Sequence, residues 1–169
     1  RWYKSTNGLY FTGPERISSD TLALFDTLPA AMTSLGDFWR VEVTPRDGSV
    51  DGIPGVALAA VPQPSTISLS ASPNNIVLGG IVALSGTINP NSAAGEPVFF
   101  DLTTTPAQGT NTKPASTLTN GASQYSSSFA PDEAGTWVFK SNWDGNLAAG
   151  AAASPQRSVT VSKAQPNLS

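Results

Sequence analysis

Cysteine and histidine are both absent from the 169 residues. Their absence removes a cysteine nucleophile, a Ser-His-Asp triad, the usual zinc ligand sets and any disulfide framework. Charge is scarce as well. Lys+Arg number 9 and Asp+Glu 12, so charged residues make up 12 % of the chain. An average chain carries about 25 %. The net charge of -3 runs against a nucleic-acid module, which would cluster Lys and Arg. No apolar run reaches the ~18–20 residues of a membrane helix. Arg1-Trp2-Tyr3-Lys4 is not followed by the apolar core of a secretion signal. The chain therefore reads as a mature product, a processed piece or an excerpt.

Uncharged polarity takes the place of charge. Ser occurs 21 times and Thr 17 times, with Gly 15 and Pro 14 supplying turns. Hydrophobic residues at 39 %, with Trp 4, Tyr 3 and Phe 7, are enough for a packed core, unlike a disordered chain. The prolines of Ala60-Val61-Pro62-Gln63-Pro64-Ser65 cannot donate to a sheet ladder. They place a linker at residues 63–64, between a first part over 1–62 and a second over 65–163. Residues 164–169 form a tail or the start of a next repeat.

Period-two alternation marks strands with one buried face. In the second part it runs through Ile67–Ala71, Val82–Ile88, Val98–Leu102, Tyr125–Phe129, Trp137–Trp143 and Val159–Val161. Turn clusters at Ser72–Asn75, Asn89–Ser92, Pro131–Gly135 and Asp144–Asn146 separate the runs. Short strands so punctuated over about 100 residues predict an antiparallel sandwich of immunoglobulin type. The first part offers fewer strands: Arg1–Lys4, Thr21–Leu28, Phe38–Thr44 and Val56–Val61. That is too little for a closed sandwich, and a unit this small is marginal even when complete.

Two stretches resemble immunoglobulin-like repeats of large bacterial and archaeal surface proteins. In the first, Trp2-Tyr3-Lys4, the turn Asn7-Gly8, Thr27-Leu28-Pro29, Leu35-Gly36-Asp37-Phe38-Trp39-Arg40-Val41-Glu42-Val43-Thr44-Pro45-Arg46-Asp47-Gly48 and Asp51-Gly52 match a repeat whose early W-Y-K strand pairs with a later G-D-x-W-x-V-x-V-T-P-x-D-G strand. That repeat has further strands before W-Y-K, which are missing here. In the second, Ile67–Pro73, Leu84-Ser85-Gly86, Tyr125–Pro131, Ala134–Trp137, Trp143-Asp144-Gly145 and Val159–Lys163 resemble another bacterial type. The resemblance implies an all-β chain of two tandem sandwiches, the first lacking its N-terminal strands. It also implies an extracellular or cell-surface scaffold or adhesin without catalytic residues.

Five candidate sites follow from the residues. Trp143, beside a turn, is the aromatic best placed to stack on a sugar ring, with a core position as its rival. Asp47 and Asp51 flank Gly48-Ser49-Val50. They could contribute to the six to eight oxygens of a calcium site, or simply cap two Asp-Gly turns. Trp2, Leu22, Leu24, Trp39, Val41, Val43, Val56 and Leu58 form an apolar face that needs strands from elsewhere, as in donor-strand complementation, with Trp2, Trp39, Val41 and Val43 as its groove. The best donor within the sequence is the tail after Lys163. Asn167 stands in Asn167-Leu168-Ser169, an N-glycosylation pattern. Asp132 with Glu133, and Glu96 with Asp101, are the nearest thing to a catalytic acid pair. Neither has the facing geometry that a hydrolase needs. No enzyme activity and no cofactor are expected. The expected partners are copies of the chain or flanking repeats, with surface glycans as an alternative and no nucleic acid or membrane insertion.

Overall fold

The computed structural model describes residues 1–18, 26–90, 94–104 and 114–163. Within them the chain is all-β apart from one 3-10 turn at Ala30–Met32. It divides into two compact units. One is Arg1–Pro64 with Leu147–Gly150, the other Ser65–Asn146 with Ala151–Ser169.

The first unit holds one sheet. Its strands are β1 (Trp2–Ser5), β2 (Thr12–Arg16), β3 (Phe38–Val43) and β4 (Gly55–Ala60), ordered β2-β1-β3-β4, and every pairing is antiparallel. β3 forms because Trp39, Val41 and Val43 alternate with Arg40 and Glu42, which suits a pleated surface. Ser5 anchors the turn after β1: its Oγ accepts from the Asn7 and Gly8 backbone N–H groups at 3.2 and 3.0 Å. Before β3, the buried Asp37 carboxylate accepts from the Ser34 N–H at 2.7 Å and pairs with Lys4 Nζ at 2.7 Å. This contact ties β1 to the entry of β3. Beyond β4, Gln63 donates to the Ala148 carbonyl at 2.9 Å and accepts from the Gly150 N–H at 2.8 Å.

The second unit is a sandwich. Its strands are β5 (Thr66–Ile67), β6 (Ser70–Ser72), β7 (Asn75–Val77), β8 (Val82–Asn89), β9 (Pro97–Thr104), β10 (Thr117–Leu118), β11 (Gln124–Phe129), β12 (Gly135–Trp143), β13 (Ala152–Ala153) and β14 (Arg157–Ser162). One sheet runs β10-β9-β12-β14-β7, with β13 beside β12. The other runs β11-β8-β5, with β6 also on β8. All pairings are antiparallel except β7 on β14, which is parallel. The opening strand thus touches both sheets, an immunoglobulin-like arrangement. Alternate residues of both sheets fill the space between them: Val82, Leu84 and Ile88 from β8, Trp137, Phe139 and Trp143 from β12, and Val159 and Val161 from β14 are all buried. Phe129 lies 5.2 Å from the Trp137 ring and 5.3 Å from the Phe139 ring, within the range of favourable aromatic contacts.

Four features differ from the sequence reading. The run Ile67–Ala71 is two short strands, β5 and β6. β2, β7, β10 and β13 had no clear alternation to announce them. Thr21–Leu28 has residues 21–25 outside the described residues, and Asp26–Leu28 is not strand. Finally, Val56 and Leu58 do not share a face with Trp39. They pair with Glu42 and Arg40, and cross-strand partners lie on the same side of a sheet.

Candidate functional site

The pairings of the first unit decide which side chains share a face. Trp2 stands opposite Val41 and Lys4 opposite Trp39, with Ala57 and Ala59 opposite Val41 and Trp39 on the far side. Trp2, Trp39, Val41 and Val43 are therefore brought together on one side. Their burial grades along the sheet. Trp39 is 2 % exposed, Trp2 and Val41 are half-buried, and Val43 is 60 % exposed. Trp2 Nε1 donates to Asp26 at 2.7 Å. The Ser18 hydroxyl first, then this indole, hold the Asp26 carboxyl below its usual range, with Arg16 adding at 3.3 Å.

The opposite side carries Tyr3, Arg40, Glu42, Val56 and Leu58. The Arg40 guanidinium lies 4.5 Å from the Tyr3 ring and 5.5 Å from the Phe11 ring. This is cation–π distance, and Tyr3, Phe11 and Arg40 are all half-buried. Val56 and Leu58, on the terminal strand, remain 59 % and 60 % exposed. Among the described residues, sixteen hydrophobic side chains are buried, and only Trp39 and Ala149 of them belong to the first unit. Among the described residues the sheet thus has little core of its own, and Val43, Val56 and Leu58 stay exposed.

The acidic loop is a turn. Asp47 Oδ1 accepts from the Ser49 and Val50 N–H groups, each at 3.0 Å, and these bonds, Val50 first, lower its pKa. Asp51 pairs with Arg46 at 3.6 Å and bridges to it through the backbone. No group of three or more His, Cys, Asp or Glu side chains able to hold a metal occurs among the described residues. The geometry is that of an Asx turn closing the β3–β4 hairpin.

Trp143 is 1 % exposed, in phase with Trp137 and Phe139 on β12 and paired with Ala152. A buried ring offers no face to a sugar, so the stacking reading of Trp143 is corrected to a core role. Its phase with Trp137 and Phe139 was the signal for this, stronger than its nearness to a turn. Asn167 and the tail after Lys163 lie outside the described residues. Asp101 accepts from Asn142 Nδ2 at 2.6 Å and Glu96 from Asn146 Nδ2 at 3.0 Å, so each acid serves a structural hydrogen bond.

One groove in the second unit was not foreseen. Ser68, Ser85, Thr87, Asn120 and Gln124 line it around Tyr125, with no charged side chain among them. At its floor the Tyr125 hydroxyl donates to the Ser68 carbonyl and lies 2.7 Å from Ser141 Oγ. Burial pushes the Tyr125 phenol up, partly countered by Ser141. A neutral phenol locked between a carbonyl and a serine has no base to activate it. The groove can donate and accept hydrogen bonds, but it lacks the constellation for covalent chemistry.

The sequence matches no family model and no curated protein. Among solved structures the chain is similar to the PKD domain (329-428) of human KIAA0319, with TM-score 0.42 and 18 % identity over 64 % of this chain and 89 % of that one. It is also similar to the D00-D0 domain of Intimin, with TM-score 0.42 and 14 % identity over 78 % and 68 % of the two chains. A third is the D0-D1 domain of Intimin, with TM-score 0.42 and 10 % identity. The match covers 73 % of this chain and 62 % of that one, less than two thirds of its length.

Proposed function

We propose that the chain is a structural module of an extracellular surface assembly. Its second unit is the self-sufficient spacer. Its first unit is completed by polypeptide beyond this span, either a copy of the chain or a flanking repeat. The observation that carries this is the contrast in burial. Among the described residues, the second unit closes two sheets over fourteen of the sixteen buried hydrophobic side chains, while the first has one sheet and two of them. A single layer with an apolar face is stable only when something covers it. Trp39 is already buried within the chain, so what remains to be covered is the open end of the Trp2, Trp39, Val41 and Val43 face, from half-buried Trp2 and Val41 to exposed Val43, by strand complementation in a filament or between repeats. A surface rich in hydroxyl groups and poor in charge suits close packing of many copies, because like charges seldom meet.

The test compares amide exchange in the dilute chain with exchange in native material stripped from the surface of the source cells. β1, β3 and β4 should exchange quickly in the dilute chain and slowly in the assembly, while β8, β9 and β12 are slow in both. Equal protection of the first unit in both states would reject completion from outside. Absence of the chain from the surface fraction would reject the location.

A further inference from the structure

The two edges of the first unit's sheet are unlike. At one end, β2 carries Pro14, Glu15 and Arg16, the residues that block pairing at an edge. At the other, β4 reads Gly55-Val56-Ala57-Leu58-Ala59-Ala60, without charge or proline. Five of its six residues are exposed and the last is half-buried. Ile53, just before it, is 91 % exposed. Among the described residues no strand pairs with its outer side. One edge is guarded and the other is bare.

The direction of the bare hydrogen-bonding groups follows from the ladder. Val61, continuing β4, donates to the Asp37 carbonyl at 2.8 Å and accepts from Gly36 at 2.7 Å. On the far side of β3, the Glu42 N–H donates to the Arg1 carbonyl at 2.9 Å, and the Arg1 amino group donates back at 2.8 Å. Even-numbered residues of β3 therefore face β1, and odd-numbered residues of β3 and β4 face each other. By the alternation of antiparallel pairs, Val56, Leu58 and Ala60 turn their N–H and C=O groups outward. Pro54 and Pro62 stand four residues to either side of Leu58 and have no N–H to extend the ladder.

We infer that β4 is a homotypic docking edge, at which two copies of this chain pair their β4 strands antiparallel about a two-fold axis through Leu58. In that register Leu58 meets its own counterpart, and Val56 meets Ala60 of the second copy. All three outward residues are used, giving about six interchain hydrogen bonds. A shift by two residues loses a pair. The occupant is a second copy because the edge is self-complementary. Apolar side chains meet apolar ones on both faces, no like charges are opposed, and the prolines close the ladder symmetrically. An isologous contact of this kind ends at two chains and continues the sheet to eight strands. It names the partner for the module proposed above and rests on that reading for its setting.

The experiment uses the 169-residue chain. Sedimentation over a range of concentrations should show a monomer–dimer equilibrium. Leu58→Lys, which sets two like charges across the axis, should raise the dissociation constant by about tenfold or more with an unchanged β-type circular dichroism spectrum. Since the chain lacks cysteine, engineered thiols report the register. Leu58→Cys should give an oxidised dimer. Val56→Cys alone should not, because its counterpart is several residues away, while Val56→Cys with Ala60→Cys should. These substitutions are at exposed or half-exposed sites and decide the matter even if Leu58→Lys fails to fold. A chain that stays monomeric, a dimer indifferent to Leu58→Lys, or equal crosslinking from Val56→Cys and Leu58→Cys would overturn the inference. A monomeric chain recovered from a surface polymer would sink the β4 edge and keep the module. A β4 dimer never displayed at a surface would do the reverse.

Discussion

Gly86 shows how one missing side chain sets a local packing arrangement. A Cβ there would overlap the Ser68 carbonyl oxygen and the Tyr125 hydroxyl, so the glycine is what lets β8 pass beneath that hydrogen bond. Gly86→Ala should destabilise the chain by about 1–3 kcal/mol, as overpacking does, measured by urea unfolding. An unchanged midpoint would mean that the contact yields freely. Tyr125 makes a second prediction through its raised pKa. The folded state holds the phenolic proton more tightly than the unfolded state, whose value is near 10.0. The stabilisation is therefore complete below that pH and is lost as pH rises through the folded value. Alkaline unfolding should become less steep in Tyr125→Phe. Asp47 offers a third, since its carboxylate serves a turn. Asp47→Asn should leave thermal stability nearly unchanged, because Asn makes the same turn, and a metal chelator should not shift melting. A calcium ligand would fail both measurements.

The strands differ in how plainly the sequence announces them. β8, β9, β11, β12 and β14 alternate apolar and polar residues because one face of each lies on the core, and that pattern can be read without a structure. β2 hides behind Pro14, Glu15 and Arg16, residues suited to an edge and so unlike a strand in composition. β7 holds three residues directly after a turn, and β10 and β13 hold two each. Their pairing is decided by neighbours, since two residues show no period. The faces of the first unit fail for a related reason. In-strand phase groups Val56 with Leu58 correctly, but which side they take depends on the register set by the Val43-to-Gly55 hairpin. As a result the apolar face of Trp2, Trp39, Val41 and Val43 was legible, whereas its supposed continuation into β4 was not. At this scale the Lys4–Asp37 pair is the joint between β1 and β3. Asp37→Ala should destabilise the first unit and leave the second untouched. Loss of protection at β1 and β3 but not at β8 or β12, read by amide exchange in the assembled material where β1 and β3 are protected, would show it.

For the whole molecule, the disparity between the units predicts separate folding. A Ser65–Lys163 fragment should give a β-type spectrum and one cooperative melt. A 1–64 fragment, which lacks the Leu147–Gly150 segment belonging to its unit, should not. A disordered spectrum from the larger fragment would refute the division. The sandwich also has a mechanical property. β14 closes the second unit and lies parallel to β7 near its start, held by Thr160 donating to the Asn74 carbonyl, Leu78 donating to the Ser162 carbonyl, and Ser162 Oγ donating to the Ile76 carbonyl, at 2.9, 2.9 and 3.2 Å. Tension applied between residues 65 and 163 draws these two strands past each other along their length. Bonds perpendicular to the pull are then loaded together in shear and cannot be opened one after another like a zip. The parallel clasp makes the second unit resist stretching until all of its rungs yield at once.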